Sequence, residues 1–228
     1  MDVALVSVGD ELLSGDTVNT NAAWLGERLT RRGVAVERVT VLPDRIADIA
    51  RVVNEYAAEH DAVIVTGGIG PTHDDQTMEA VAAAVGQPLE SNDAVLQWLA
   101  DEGDYTRADL TDGTAKLPRG ARPLHNAVGV APGCVAENVY VFPGVPDEMK
   151  AMFESVEEEF NGETRYVDHV VVDEPESALI DRLEALQERF GVKVGSYPGE
   201  HVRVKLESTD PDAVAEAVAW LRENSQQA

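Results

Sequence analysis

An apolar run, Ala62-Val63-Ile64-Val65, leads straight into Thr66-Gly67-Gly68-Ile69-Gly70-Pro71 and then Thr72-His73-Asp74-Asp75. Four successive apolar residues suit a strand buried on both faces, as in parallel sheets. The glycines and the proline remove side-chain bulk and end the strand. Met78, Val81, Ala82 and Val85 then recur with a helical period. Strand, glycine loop and helix start, in that order, bring bare backbone N–H groups up to an anion at the C-terminal edge of an α/β sheet. Thr66, Gly67, Gly68, Gly70 and Thr72 are therefore candidate phosphate-binding residues. Asp74 is expected to cap the helix. Asp75 and Glu79, four residues apart, are expected to share one helix face and reach one Mg²⁺-like cation. His73 is a loop residue within reach of a phosphate.

Three further segments are expected on the same edge. Gly9-Asp10-Glu11 follows the apolar strand Val3 to Val8, and Thr20 and Asn21 near the next helix start offer neutral hydrogen bonds. Asp44 follows the second strand and is a candidate metal carboxylate. Pro132-Gly133 and Pro143-Gly144-Val145-Pro146 are rigid turns, and the latter would close the cleft from the far side. Outside this group, His201, Arg203 and Lys205 alternate with Val202, Val204 and Leu206. Cross-strand pairing with local acids explains that stripe most simply, and attraction of phosphate is its sharper reading. The single cysteine, Cys134, reads as a small buried apolar residue in a reducing cytoplasm rather than as a nucleophile.

Strands and helices alternate through the first half, which predicts a three-layer α/β/α domain with a mostly parallel sheet over residues 1–162. Helices are expected from Asn19 to Arg32, from Pro43-Asp44 onward, over Asp93 to Glu102, and from Pro146 to about Phe160. Gly103 to Lys116 reads as a loop or short helical excursion. Beyond Asn161-Gly162 the order β-α-β-β-α predicts a small α+β module over residues 163–228, with a helix from Glu176 to Phe190. Hydrophobic residues make up 44% of the chain, enough for a packed core. No apolar run approaches a membrane span and no signal peptide precedes the first strand, so a cytoplasmic protein is expected. The charge is −24, from 18 basic and 42 acidic residues. That surface suggests work in concentrated salt, a halophilic habit, and disfavours nucleic-acid binding through a basic patch.

Taken together, Gly9 to Gly15, Asn19-Thr20-Asn21, Thr66 to Asp75 with Thr77 and Glu79, Gly129 to Gly133 and Phe142 to Pro146 resemble the MoaB/Mog (molybdopterin-binding-like) superfamily. The nearest branch is the N-terminal part of the CinA proteins. Glu176 to Leu179 and Gly195 to Pro198 look like the small second module of that branch. The run Gly67 to Asp75 and Asn138 to Gly144 look equally like the N-terminal domain of eukaryotic FAD synthase. The resemblance implies a cleft for a pterin or adenine nucleotide and dependence on Mg²⁺, Mn²⁺ or Co²⁺, with Asp75 as the functional acid. It also implies pyrophosphatase activity on ADP-ribose or FAD, or else pterin binding or adenylyl transfer in molybdenum-cofactor synthesis. A non-catalytic interaction protein is the third alternative, disfavoured by the clustered carboxylates. The nicotinamide-nucleotide amidohydrolase domain frequent in CinA proteins has no counterpart in these residues. A nucleotide or pterin ligand and further copies of the chain, as a homo-oligomer, are the expected partners.

Overall fold

Three parallel strands carry the first half of the chain: β1 (Asp2–Val8), β2 (Ala35–Leu42) and β3 (Ala62–Thr66). A computed structural model describes residues 1–70, 75–102, 115–226 and 228. The expectations for Thr72, His73 and Asp74, and for the loop over residues 103–114, lie outside the described residues. Helices α1 (Asp10–Ser14) and α2 (Thr20–Arg31) connect β1 to β2. Helix α3 (Ile46–Glu59) leads to β3, and α4 (Thr77–Ala84) comes after the glycine loop. A short antiparallel pair, β4 (Leu89–Ser91) and β5 (Lys116–Pro118), flanks α5 (Asp93–Glu102) in the chain. Strands β6 (Arg122–Leu124), β7 (Gly133–Ala136) and β8 (Val139–Phe142) complete a six-stranded sheet of order β2-β1-β3-β8-β7-β6. Its β2-β1, β1-β3 and β3-β8 pairs are parallel, and the β8-β7 and β7-β6 pairs are antiparallel.

Alternation along each strand divides the core between the two faces of this sheet. Val6, Val8, Val63, Val65, Val139 and Val141 join one apolar cluster with Ile49 and Val53 of α3 and Ala80 and Val81 of α4. Leu5, Ile64, Tyr140 and Phe142 join the other with Leu25 and Leu29 of α2 and Met149 and Phe153 of α6 (Pro146–Glu154). The molecule is thus an α/β fold with helices on both faces of a mostly parallel sheet. Contacts divide the chain into two compact units, residues 1–30 with 34–162, and residues 31–33 with 163–228.

In the second unit, β9 (Tyr166–Val172), α7 (Ile180–Phe190), β10 (Lys193–Tyr197), β11 (Val202–Ser208) and α8 (Pro211–Glu223) form an antiparallel sheet of order β10-β11-β9 with two helices. Val170, Val172, Val204 and Leu206 meet Leu186, Ala217 and Leu221 in a core of their own. Asp210 caps α8, its Oδ1 accepting from the Asp212 N–H at 2.9 Å, with Pro211 in the first turn. Among the described residues no helix is long and apolar enough to cross a membrane.

Helix boundaries depart from the sequence expectation in three places. The helix from Pro146 stops at Glu154, followed by a 3₁₀ turn over Glu157–Glu159. There Ser155 Oγ donates to the Met152 carbonyl at 2.6 Å, and the chain turns to stack Phe160 on Phe153 with centroids 5.4 Å apart. The helix expected from Pro43-Asp44 starts only at Ile46, because Arg45 is extended. The helix expected from Glu176 begins as a 3₁₀ turn, with α7 starting at Ile180.

The second unit is held partly by two carboxylates. Glu174 accepts from Arg182 at 2.9 and 2.5 Å, and that guanidinium, with the Gln226 N–H, lowers its pKa from 4.5 to about 2. Burial alone would raise the Glu207 pKa, yet hydrogen bonds from Lys205 and Arg165, with Lys193 nearby, bring it below the ordinary value. A depressed carboxylate pKa contributes stability above the unfolded value, which is lost as pH falls through the folded value. Stability of this unit is therefore expected to drop between pH 4.5 and about 2. In denaturant titrations, Glu174→Gln should flatten that slope, and an unchanged slope would count against the assignment.

Candidate functional site

The parallel strands all end on one edge, and neighbouring connections diverge there. From β1 the chain crosses to β2 on one side, while β3 lies on the other, so the ends of β1 and β3 form a topological switch point. Ser7 pairs with Thr66, and Thr66 with Phe142, so the segments after β1, β3 and β8 emerge side by side. A cleft of about 250 Å³ opens at this place.

The glycine loop makes one wall. Gly67 has φ +98° and Gly68 φ +62°, and a Cβ on Gly67 would lie 2.3 Å from the Val8 carbonyl oxygen. Only glycine permits this turn against the neighbouring strand. The Gly67 N–H donates to the Phe142 carbonyl at 3.1 Å, so this group serves the sheet rather than a ligand, contrary to the sequence reading. Asp75 lies in the cleft wall with its carboxylate folded against Gly70, within 2.7 Å of where a Gly70 Cβ would stand.

Asp44 reaches the same cleft from the end of β2. Its Oδ2 accepts the Asp10 N–H at 3.0 Å, while its Oδ1 faces Gly68. Asp10 thus serves through its backbone, at the start of α1, and its exposed side chain does not line the cleft. Glu11 does line it, with its carboxylate lying over Gly9. On the far wall Gly144 approaches Gly67 closely, a Gly144 Cβ coming within 3.3 Å of the Gly67 Cα. Pro143 is buried beneath the turn and outside the lining. Asn21 Nδ2 donates to the Gly144 carbonyl at 2.7 Å and ties α2 to that wall.

One expectation fails. Asp75 precedes α4, which begins at Thr77 after Gln76, so the four-residue spacing to Glu79 does not lie along one helix. Glu79 instead borders a shallow depression with Gln87 and Lys116. The structure brings Asp75, Asp44 and Glu11 to one cleft and leaves Glu79 out of it.

Several lining residues were not among the sequence candidates. Asn19 Oδ1 accepts from the Ala22 N–H at 3.0 Å as the cap of α2, and its Nδ2 donates to Ser7 Oγ at 2.9 Å. Thr66 Oγ1 also donates to Ser7 Oγ, at 3.4 Å. Asn19 and Thr66, joined through Ser7, line the cleft together with Thr17 and Val18. An asparagine directly before an apolar helical repeat is a legible cap signal, but nothing local marks it as facing a ligand.

The remaining candidates are accounted for locally. Burial pushes the Cys134 thiol up to about 12, so it is not a thiolate nucleophile. His201 Nδ1 lies 3.2 Å from Asp173 Oδ1, the Arg203 guanidinium 5.2 Å from the Tyr197 ring centroid, and Lys205 donates to Glu207 at 2.8 Å. Two of the three stripe residues pair with acids, and the third rests on an aromatic face. Among the described residues no three His, Cys, Asp or Glu side chains converge as a metal cage.

Residues 4–161 match the protein family described as a probable molybdopterin binding domain, and residues 164–228 match the FAD synthase middle domain. A protein of Archaeoglobus fulgidus is 37% identical over 98% of this chain and 97% of its own length. One from Pyrococcus furiosus is 38% identical over 97% of this chain and 96% of its own. Among solved structures, protein CinA of Thermoplasma acidophilum, described as of unknown function, superposes with a TM-score of 0.65 at 36% identity, covering 71% of this chain and 99% of that one.

Proposed function

The chain belongs to the family of probable molybdopterin binding domains, and on that premise we propose that it is a divalent-metal-dependent pyrophosphatase cleaving a nucleotide diphosphate such as ADP-ribose or FAD. The observation that carries this reading is the convergence of Asp44 and Asp75 on a glycine loop at the switch point of the sheet. Similarity of the second unit to the FAD synthase middle domain supports a flavin or adenine dinucleotide as substrate.

The donor set fits a hard cation. Three carboxylates line the cleft, those of Glu11, Asp44 and Asp75, with Asp44 oriented through the Asp10 N–H, and among the described residues the buried Thr77 hydroxyl beside Gly68 has no hydrogen-bond partner. Few protein oxygens and no closed cage suit Mg²⁺-type ions, which keep waters and take phosphate oxygens as further ligands. When bound by Asp44 and Asp75, such an ion would offset the charge of the bridging phosphates and acidify an attacking water.

The chain's own groups do the rest. N–H groups of Gly68 to Gly70 would offset the charge that gathers on phosphoryl oxygens. Asn21 fixes the Gly144 wall, and Asn19 and Thr66 are joined through Ser7, so the diphosphate is received by a set geometry. Water adds to one phosphorus, the bridging P–O bond breaks, and AMP leaves with the complementary phosphomonoester.

The test is AMP release from ADP-ribose or FAD by the pure protein with Mg²⁺, Mn²⁺ or Co²⁺. It belongs in molar KCl, because a net charge of −24 is expected to need screening. AMP appearing with one of these metals and vanishing with chelator is the expected result, and none under any of them rejects the reading. The family description favours a second reading, pterin binding or adenylyl transfer, which co-purifying pterin would support.

A further inference from the structure

Thr77 opens α4 and is wholly buried, yet among the described residues its hydroxyl has no hydrogen-bond partner. A buried hydroxyl left unpaired is costly, because it gives up its hydrogen bonds to water and gains none in return. Valine would fill the same space without that cost, so the oxygen calls for an explanation. Gly68 stands against it: a side chain there would begin 2.5 Å from Thr77 Oγ1 and 3.3 Å from Asp44 Oδ1. The two oxygens thus flank the face of Gly68 from which a side chain would project. Asp44 is held in this orientation by the Asp10 N–H on its other oxygen, at 3.0 Å.

The chemistry of the pair selects what they would bind. A carboxylate oxygen repels an anion, so a phosphate oxygen is disfavoured in direct contact with it. The hydroxyl offers lone pairs beside the carboxylate, and together they present two hard oxygens. We infer that Thr77 Oγ1 joins Asp44 Oδ1, with Asp75, in the binding site for the divalent cation of the Mg²⁺ type, completed by water and by phosphate oxygens of the ligand. This deepens the pyrophosphatase reading and rests on it. It assigns Thr77 as a metal-holding residue and predicts that the cation binds well only together with a phosphate-bearing ligand. Gly68 is then required twice, for its positive φ and for the open space between the two oxygens.

Mn²⁺ is the probe, followed by electron paramagnetic resonance and calorimetry, with and without the non-cleavable α,β-methylene ADP. Wild type is expected to bind Mn²⁺ at least about 10-fold more tightly with the nucleotide present, since its phosphates supply ligands that the protein lacks. Thr77→Val should weaken that binding by about 10-fold or more, with an equal or higher Tm, and Thr77→Ser should restore it. Unchanged Mn²⁺ affinity in Thr77→Val would overturn the inference and leave the hydroxyl an ordinary buried orphan. If Thr77→Val does not fold, Asp44→Asn carries the test, and wild-type Mn²⁺ affinity there overturns the site equally. Wild type taking up no Mn²⁺ under either condition also overturns it, whereas the pyrophosphatase reading is decided separately by AMP release.

Discussion

Gly67→Ala is expected to destabilise the first unit by about 2–5 kcal/mol, measured by denaturant or thermal unfolding. Two costs combine. Gly67 has φ +98°, a region that L-residues enter at about 1–2 kcal/mol. The new Cβ would also stand 2.3 Å from the Val8 carbonyl oxygen, which belongs to the paired backbone of β1 and cannot swing aside like a side chain. Relieving such overpacking costs about 1–3 kcal/mol. Gly26 is the control: it lies within α2, and among the described residues a Cβ there meets no side chain or neighbouring element within 4 Å. Gly26→Ala should be stabilising by about 0.5–1 kcal/mol. A loss below about 1 kcal/mol for Gly67→Ala would mean that the loop relaxes, and that its conformation is not set by β1 as argued.

The same crowding explains why the loop was legible before the fold was. An apolar run that ends in Gly67-Gly68-Ile69-Gly70 announces a backbone turn that side chains would block, whatever the tertiary setting. The alternation of Val63 and Val65 with Ala62 and Ile64 likewise shows a strand buried on both faces, and the two core clusters divide these residues accordingly. What local patterning cannot carry is long-range partnership. Asp44 reads as a carboxylate at the end of the second strand, but nothing local shows that its oxygen accepts from Asp10, 34 residues earlier, as it does because β1 and β2 are parallel neighbours. Asn21 reads as an early helix residue, but its amide spans 123 residues to the Gly144 carbonyl. Glu79 failed for the opposite reason. Its spacing from Asp75 has the helical period, but the helix begins two residues beyond Asp75. A spacing argument holds only inside the element that supplies the period.

Asp75→Asn should lower AMP release by about 100- to 1000-fold, the scale on which a preorganised group at a developing charge is lost. Asparagine keeps the shape of aspartate, so the contact with Gly70 and the course of the loop should persist. What disappears is one negative charge from a cleft that also holds Asp44 and Glu11. Clustered carboxylates repel one another when no cation offsets them. The variant is therefore expected to melt at the same temperature as wild type, or slightly above it, in metal-free buffer. Activity and stability would then move independently, as expected of a residue whose charge serves a ligand rather than the fold. Glu79→Gln supplies the contrast. Its carboxylate borders a separate depression with Gln87 and Lys116, and its turnover should stay within about twofold of wild type. If Asp75→Asn released AMP at the wild-type rate, the cleft would lose its principal acid and Asp44 alone could not sustain the mechanism. If Glu79→Gln fell as far as Asp75→Asn, the two carboxylates would have to meet in the working protein, and the start of α4 at Thr77 would have to shift toward Asp75 when the ligand binds.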